Sequence, residues 1–179
     1  MEFGARRAHG INAAVEGARA AIIGGAIGTS CTLSAKEFNV PASGTMAHSW
    51  VQSFDSEYEA FKTYAEIYPD DCTLLIDTYN TIESGLPNAI KVFNEVLKPK
   101  GYKPKAVRLD SGDLAYLSKK VRKILDEAGY TECKICATNS LDEYLIKSLI
   151  EQDAKIDSFG VGENLITAKS EPVFGGVYK

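Results

Sequence analysis

The polar residues that interrupt or end the apolar runs of this sequence are of the types that handle phosphate and sugar. His48 follows Gly44-Thr-Met-Ala47, Asp77 closes the run Thr73-Leu-Leu-Ile, and Arg108 lies between Val107 and Leu109, with Asp110 and Ser111 just beyond. Thr29 and Ser30 follow Gly28, Thr138 and Asn139 end another run, and Gly160-Val-Gly162 ends one more. An arginine inside an apolar run needs an anionic partner, and its planar fork matches two phosphate oxygens. Glycine turns let backbone N–H groups approach a phosphate closely. A carboxylate can hold ribose hydroxyls and favour a cationic sugar in the transition state. A histidine whose tautomer is fixed by a neighbouring carboxylate, here Asp77, can bind a phosphate or attack one. This set suits transfer chemistry on a phosphorylated sugar.

Each residue also has a plainer role. Asp110-Ser-Gly-Asp113 is equally the sequence of a turn and helix cap. His48 alone reads as a hydrogen-bonded structural residue, and Gly160-x-Gly162 and Gly175-Gly176 as ordinary turns. What points to a site is that so many of them fall at the ends of expected strands.

The elements that must carry these residues alternate. Strands are expected at Ala42–Ala47, Thr73–Asp77, Ala106–Leu109, Lys134–Ala137, Ile156–Phe159 and from Pro172 on. Between them lie amphipathic helices: one over Ala13–Ile23, one carrying Phe54, Tyr58, Phe61, Ala65 and Tyr68 up to Pro69, and one following Pro87 with Ile90, Phe93, Val96 and Leu97. Another carries Leu114, Leu117, Val121, Ile124, Leu125 and Ala128, closed by Gly129. Ser140-Leu-Asp-Glu143 reads as a capping box opening a last helix. Successive βα units imply parallel strands with right-handed crossovers, hence an α/β fold. A barrel or partial barrel is preferred to an open doubly wound sheet. In parallel βα folds the C-terminal strand ends open on one face, so a single pocket is expected there.

Composition narrows the function. The 179 residues are 45% hydrophobic and 25% charged, with 20 Lys and Arg against 24 Asp and Glu. This is a globular balance, and the net charge of −4 argues against a nucleic-acid module. No apolar stretch reaches the roughly 20 residues of a membrane span, and no apolar core follows Arg6 and Arg7 as a signal peptide requires. Cys133-Lys-Ile-Cys136 is a C-x-x-C, but it falls on an expected strand in a chain with only two histidines. Buried, reduced thiols in a cytoplasmic protein are expected there rather than zinc, and no protein-held metal is expected.

Taken together, Glu2-Phe-Gly-Ala-Arg-Arg-Ala-His9, Gly28-Thr-Ser30, Gly44-Thr-Met-Ala-His-Ser49, Leu75-Ile-Asp-Thr-Tyr79, Val107-Arg-Leu-Asp-Ser-Gly-Asp113, Phe159-Gly-Val-Gly162 and Val173-Phe-Gly-Gly176 resemble the nicotinate phosphoribosyltransferase family, in that family's order. The resemblance runs the length of the chain and covers less than half of a family enzyme, so a fragment without the N-terminal domain and the C-terminal part is expected. It implies the irregular TIM-like barrel of the type II phosphoribosyltransferases, with residues 1–179 as one barrel-type domain. It implies the joining of nicotinate to phosphoribosyl pyrophosphate in NAD salvage, with Mg²⁺ and ATP assisting, in a homodimer of the full-length enzyme. By motif position, Phe3 stacks on the pyridine ring, Arg6 meets substrate anions, and Thr29 and Ser30 flank the nicotinate. His48 is the histidine transiently phosphorylated by ATP, with Asp77 beside it as the second catalytic residue. Arg108, Asp110 and Ser111 contact phosphoribosyl pyrophosphate, with Gly160, Gly162, Gly175 and Gly176 as its phosphate cradle. Nicotinamide-using relatives carry Asp where this chain has Ser30; a serine can donate to a carboxylate that an aspartate would repel. An inactive phosphate-binding fragment, a nicotinamide or quinolinate enzyme, and a purely structural domain stay open as alternatives.

Overall fold

The computed structural model describes residues 1–172. The described chain forms two compact units, one of Thr45–Thr138 with Lys147–Phe159, the other of Met1–Gly44, Asn139–Ile146 and the chain from Gly160 on.

The first unit holds a four-stranded sheet of β1 (Thr73–Leu75), β2 (Ala106–Leu109), β3 (Lys134–Ala137) and β4 (Ser158–Phe159). All three pairings are parallel, and strand order follows chain order, with Leu75, Arg108 and Cys136 in register. Parallel neighbours need a crossover, and helices supply each one, as the α/β expectation requires. Leu74, Val107, Leu109 and Ile135 of the sheet, Phe61, Leu86, Phe93 and Leu97 of the first helices, and Val121 and Leu125 of the crossover after β2 are all fully buried. That last helix, α6 (Leu114–Glu127), follows its sequence pattern closely. The Asp113 carboxylate accepts from Tyr116 N–H at its start, and Gly129 turns left-handed (φ 84°) at its end.

The remaining helices, in chain order, are α1 (Ile11–Ile23), α2 (Thr32–Phe38), α3 (His48–Gln52), α4 (Glu57–Ile67), α5 (Leu86–Val92), α7 (Glu143–Glu151) and α8 (Glu163–Ile166). In the second unit, Ala14, Val15, Ala18 and Cys31 form a small core against which Ala5, Ala8 and Phe38 pack.

Three expectations are corrected. Residues 42–47 form no strand: Ala42 makes only an isolated bridge with Thr29, and His48 begins helix α3. The helix expected after Pro87 starts earlier, at Thr81, where the Asn80 side chain accepts from Ile82 and Glu83 N–H. Its first turn is wide, with Gly85 N–H bonding Asn80 O five residues back. Proline lacks an N–H and crowds the preceding turn, and widening accommodates it. Ser140 does not cap α7. Asn139 (φ 92°) and Ser140 (φ 47°) both turn left-handed, and the Asp142 carboxylate takes over, accepting from Leu145 N–H. Helix α2 was not anticipated, and the strand expected from Pro172 falls on residues outside the described ones beyond its first.

Gly85 marks the closest approach of helix to strand end. A Cβ built on it would lie 1.8 Å from Ile76 O. Gly85→Ala is therefore expected to lower stability by about 3 kcal/mol, read as a drop in the urea midpoint; an unchanged midpoint would refute the contact. Burial pushes the Cys72 and Cys133 thiols up to about 12. Their alkylation at pH 8 is expected to be slower in the folded chain than in urea by on the order of a thousandfold, the ratio of thiolate populations. Equal rates in the two states would contradict that burial.

Candidate functional site

Asp77 lies just past the end of β1 and is almost fully buried, its side chain 1% exposed. A buried carboxylate must be matched on both oxygens. Oδ1 lies 3.3 Å from His48 Nε2. Oδ2 accepts the Asp110 backbone N–H at 2.8 Å and the Ser111 hydroxyl at 2.6 Å. The imidazole, at the first residue of α3, is partly open, its side chain 37% exposed. A carboxylate on Nε2 favours a proton there and leaves the Nδ1 lone pair for chemistry.

Arg108 supplies the other pole. It projects from the middle of β2, only 13% exposed, and every nitrogen of its guanidinium is engaged. Nε donates to Thr138 Oγ1 at 2.9 Å, Nη1 to Thr45 Oγ1 at 2.7 Å and to Met46 O at 3.2 Å, and Nη2 to Asp110 Oδ1 at 3.1 Å. The Thr138 hydroxyl also donates to Asp110. The anionic partner that an in-strand arginine demands is thus Asp110, two residues along its own chain. Imidazole and guanidinium belong to one network, running from His48 through Asp77 to residues 110 and 111, through Asp110 to Arg108, and back to the segment preceding His48.

The second unit holds Phe3, Arg6, Thr29 and Ser30, matched to the nicotinate, and Gly160 and Gly162 of the phosphate cradle. Met1–Phe3 runs parallel between two other extended segments: Glu2 N–H bonds Gly28 O, Ser30 N–H bonds Glu2 O, and Phe3 N–H bonds Val161 O. The Glu2 carboxylate is fully buried and accepts from Gly4 N–H and from the Thr29 hydroxyl, which in turn accepts from Cys31 N–H at 2.9 Å. Thr29 is itself fully buried, so Ser30 is the exposed hydroxyl of the pair. Phe3 is half-buried, and Arg6 is exposed in a short 3₁₀ turn, Ala5–Arg7.

Of the residues singled out in the sequence, His48, Asp77, Arg108, Asp110 and Ser111 form one hydrogen-bonded cluster. Phe3, Thr29 and Ser30 share the ladder around Glu2. Gly160 is buried, and a Cβ on Gly162 would come within 3.0 Å of Phe3 O, so backbone proximity already accounts for that glycine. Gly175 and Gly176 lie outside the described residues. Thr45 and Glu2 escaped notice as functional side chains; the only signal was their place inside motifs read for His48 and Phe3. Among the described residues, no group of three or more His, Cys, Asp and Glu side chains gathers as a metal site, and no helix is long and apolar enough to cross a membrane.

Comparison with known proteins gives one answer. Residues 1–173 match the model of the nicotinate phosphoribosyltransferase (NAPRTase) family. A nicotinate phosphoribosyltransferase of Bacillus subtilis is 54% identical over the whole chain, and one of Mycobacterium tuberculosis is 46% identical. This chain spans 36% and 38% of their lengths. The human nicotinic acid phosphoribosyltransferase structure superposes with a TM-score of 0.84 at 26% identity, covering 90% of this chain and 43% of its own. A nicotinate-nucleotide pyrophosphorylase from Pyrococcus furiosus gives 0.75 at 30% identity, covering 93% and 42%. With the motif order, the parallel βα units and these matches in agreement, the chain belongs to the nicotinate phosphoribosyltransferase family.

Proposed function

We propose that this chain is the catalytic portion of a nicotinate phosphoribosyltransferase, which joins nicotinate to phosphoribosyl pyrophosphate and couples the reaction to ATP through a phosphorylated His48. The observation that carries the reading is the His48–Asp77 pair joined to Arg108 through Asp110. An irregular TIM-like barrel is part of the reading, supported by parallel strands whose spatial order follows chain order without the reversal of a doubly wound sheet. A homodimer and a cytoplasmic location also belong to it, the latter supported by four free, buried cysteines.

In this reading the pyridine nitrogen attacks C1 of the ribose, and the bond from C1 to the pyrophosphate oxygen breaks with its electron pair on the leaving group. Phe3 stacks on the ring, Ser30 donates to the nicotinate carboxylate, and Thr29 steadies Ser30 from behind. Arg108 and Arg6 meet the developing negative charge while Asp110 and Ser111 hold the sugar. Gly160 and Gly162, with Gly175 and Gly176, bring backbone N–H groups to the 5′-phosphate. Both Asp77 oxygens and Asp110 Oδ1 already have donors, a donor set that suits Mg²⁺ arriving on substrate phosphates rather than in a protein cage. The ion then supplies charge neutralisation on pyrophosphate. For the ATP half, Nδ1 of His48 takes the γ-phosphoryl group as ADP leaves, and the proton on Nε2 stays against Asp77.

Incubation with ATP and Mg²⁺ is expected to add one phosphate to the chain on His48, found by mass spectrometry under neutral conditions and absent in His48→Ala; an unmodified His48 during turnover would sink the coupling. Nicotinate mononucleotide formation is the companion assay. Ser30→Asp is expected to raise KM for nicotinate at least tenfold, the cost of facing one carboxylate with another, while KM for phosphoribosyl pyrophosphate holds. Unchanged nicotinate kinetics would remove Ser30 from the specificity role.

A further inference from the structure

The His48–Asp77 pair is only as well aligned as the segment that delivers the histidine, and that segment has no regular structure of its own. Residues 44–47 belong to no helix or strand, and a Cβ on Gly44 would meet nothing within 4 Å. The Ala47 side chain provides no cap for α3. Two things grip the segment: Met46 is buried, 5% exposed, and the segment's polar groups are held by Arg108. Its Nη1 donates to the Thr45 hydroxyl at 2.7 Å and to Met46 O at 3.2 Å, and the same hydroxyl lies 3.2 Å from Met46 O as a donor. Arg108 in turn is rooted in the middle of the sheet, in register with Leu75 and Cys136, and steadied by Thr138 and Asp110.

Asp77 is held by the same short stretch of chain, through Asp110 N–H and Ser111 Oγ. Both halves of the pair are therefore referenced to residues 108–111, the aspartate through the backbone and hydroxyl at one end, the histidine through the guanidinium at the other. The Met46 carbonyl gives the guanidinium one hold on that loop, and the Thr45 hydroxyl gives it the shorter one, at 2.7 Å. We propose that Thr45 is a positioning residue for His48: its hydroxyl, held by Arg108, fixes the segment that brings the imidazole to Asp77. The proposal rests on the reading above only in taking His48 as a working group.

The test uses the chain's two histidines, His9 being exposed and serving as internal reference. In long-range ¹H–¹⁵N spectra of the imidazoles, His48 is expected to give one sharp signal set displaced from that of His9. In Thr45→Val, which keeps the shape and removes the hydroxyl, that displacement is expected to fall to less than half, with amide signals of β2 and β3 unchanged. Thr45→Ser, which restores a hydroxyl, is expected to return it. If Thr45→Val does not fold, Arg108→Lys decides the matter, because an ammonium cannot hold Thr45, Met46, Thr138 and Asp110 together; the same collapse of the displacement is expected. A His48 signal set unaltered in the folded variant overturns the proposal. Failure to bind phosphoribosyl pyrophosphate would strike the functional reading instead and leave this readout standing.

Discussion

A positive charge fixed in the middle of a β-strand constrains everything around it. Arg108 cannot leave β2, and a guanidinium so little exposed is tolerated only when its donors find acceptors. Asp110 answers the charge, and Thr138, Thr45 and Met46 O answer the remaining N–H groups. Those acceptors come from three separate stretches of chain, so satisfying one side chain fastens the ends of β2 and β3 and the approach to α3 to a common point. The network that results is polar, largely shielded from water and closed on itself, the condition under which hydrogen bonds reinforce one another.

The parts of this arrangement that could be read from sequence are those governed by local rules. β2, β3 and α6 follow from short apolar runs, helical spacing from Leu114 to Leu125, and a glycine where a left-handed cap belongs. The pairing of His48 with Asp77 was legible because both interrupt apolar runs at expected strand ends. What could not be read depends on tertiary context. Residues 42–47 sit where a strand was expected before His48, yet nothing pairs with most of them. The helix before Pro87 begins upstream because its first turn widens, which no residue pattern announces. Ser140 has the right neighbours for a cap and the wrong backbone dihedral for one.

The second unit obeys a different logic. There the organising group is a carboxylate, Glu2, wholly removed from solvent and matched by a backbone N–H and the Thr29 hydroxyl. The parallel bridging on either side sets Phe3 and Ser30 in neighbouring registers, so an aromatic face and an exposed hydroxyl are offered by segments 27 residues apart in the chain. Sequence showed the motif and not the clamp behind it, because a glutamate ordinarily belongs on the surface.

The wide turn leading into α5 has a bearing on how this loop can change length. Ile76, whose carbonyl abuts Gly85, and Asn80, whose side chain starts the helix, pin this stretch at both ends. A residue inserted or deleted between Asn80 and Gly85 would break the meeting of Gly85 with the Ile76 carbonyl. A change of length here therefore costs more than a change of side chain at exposed Tyr79.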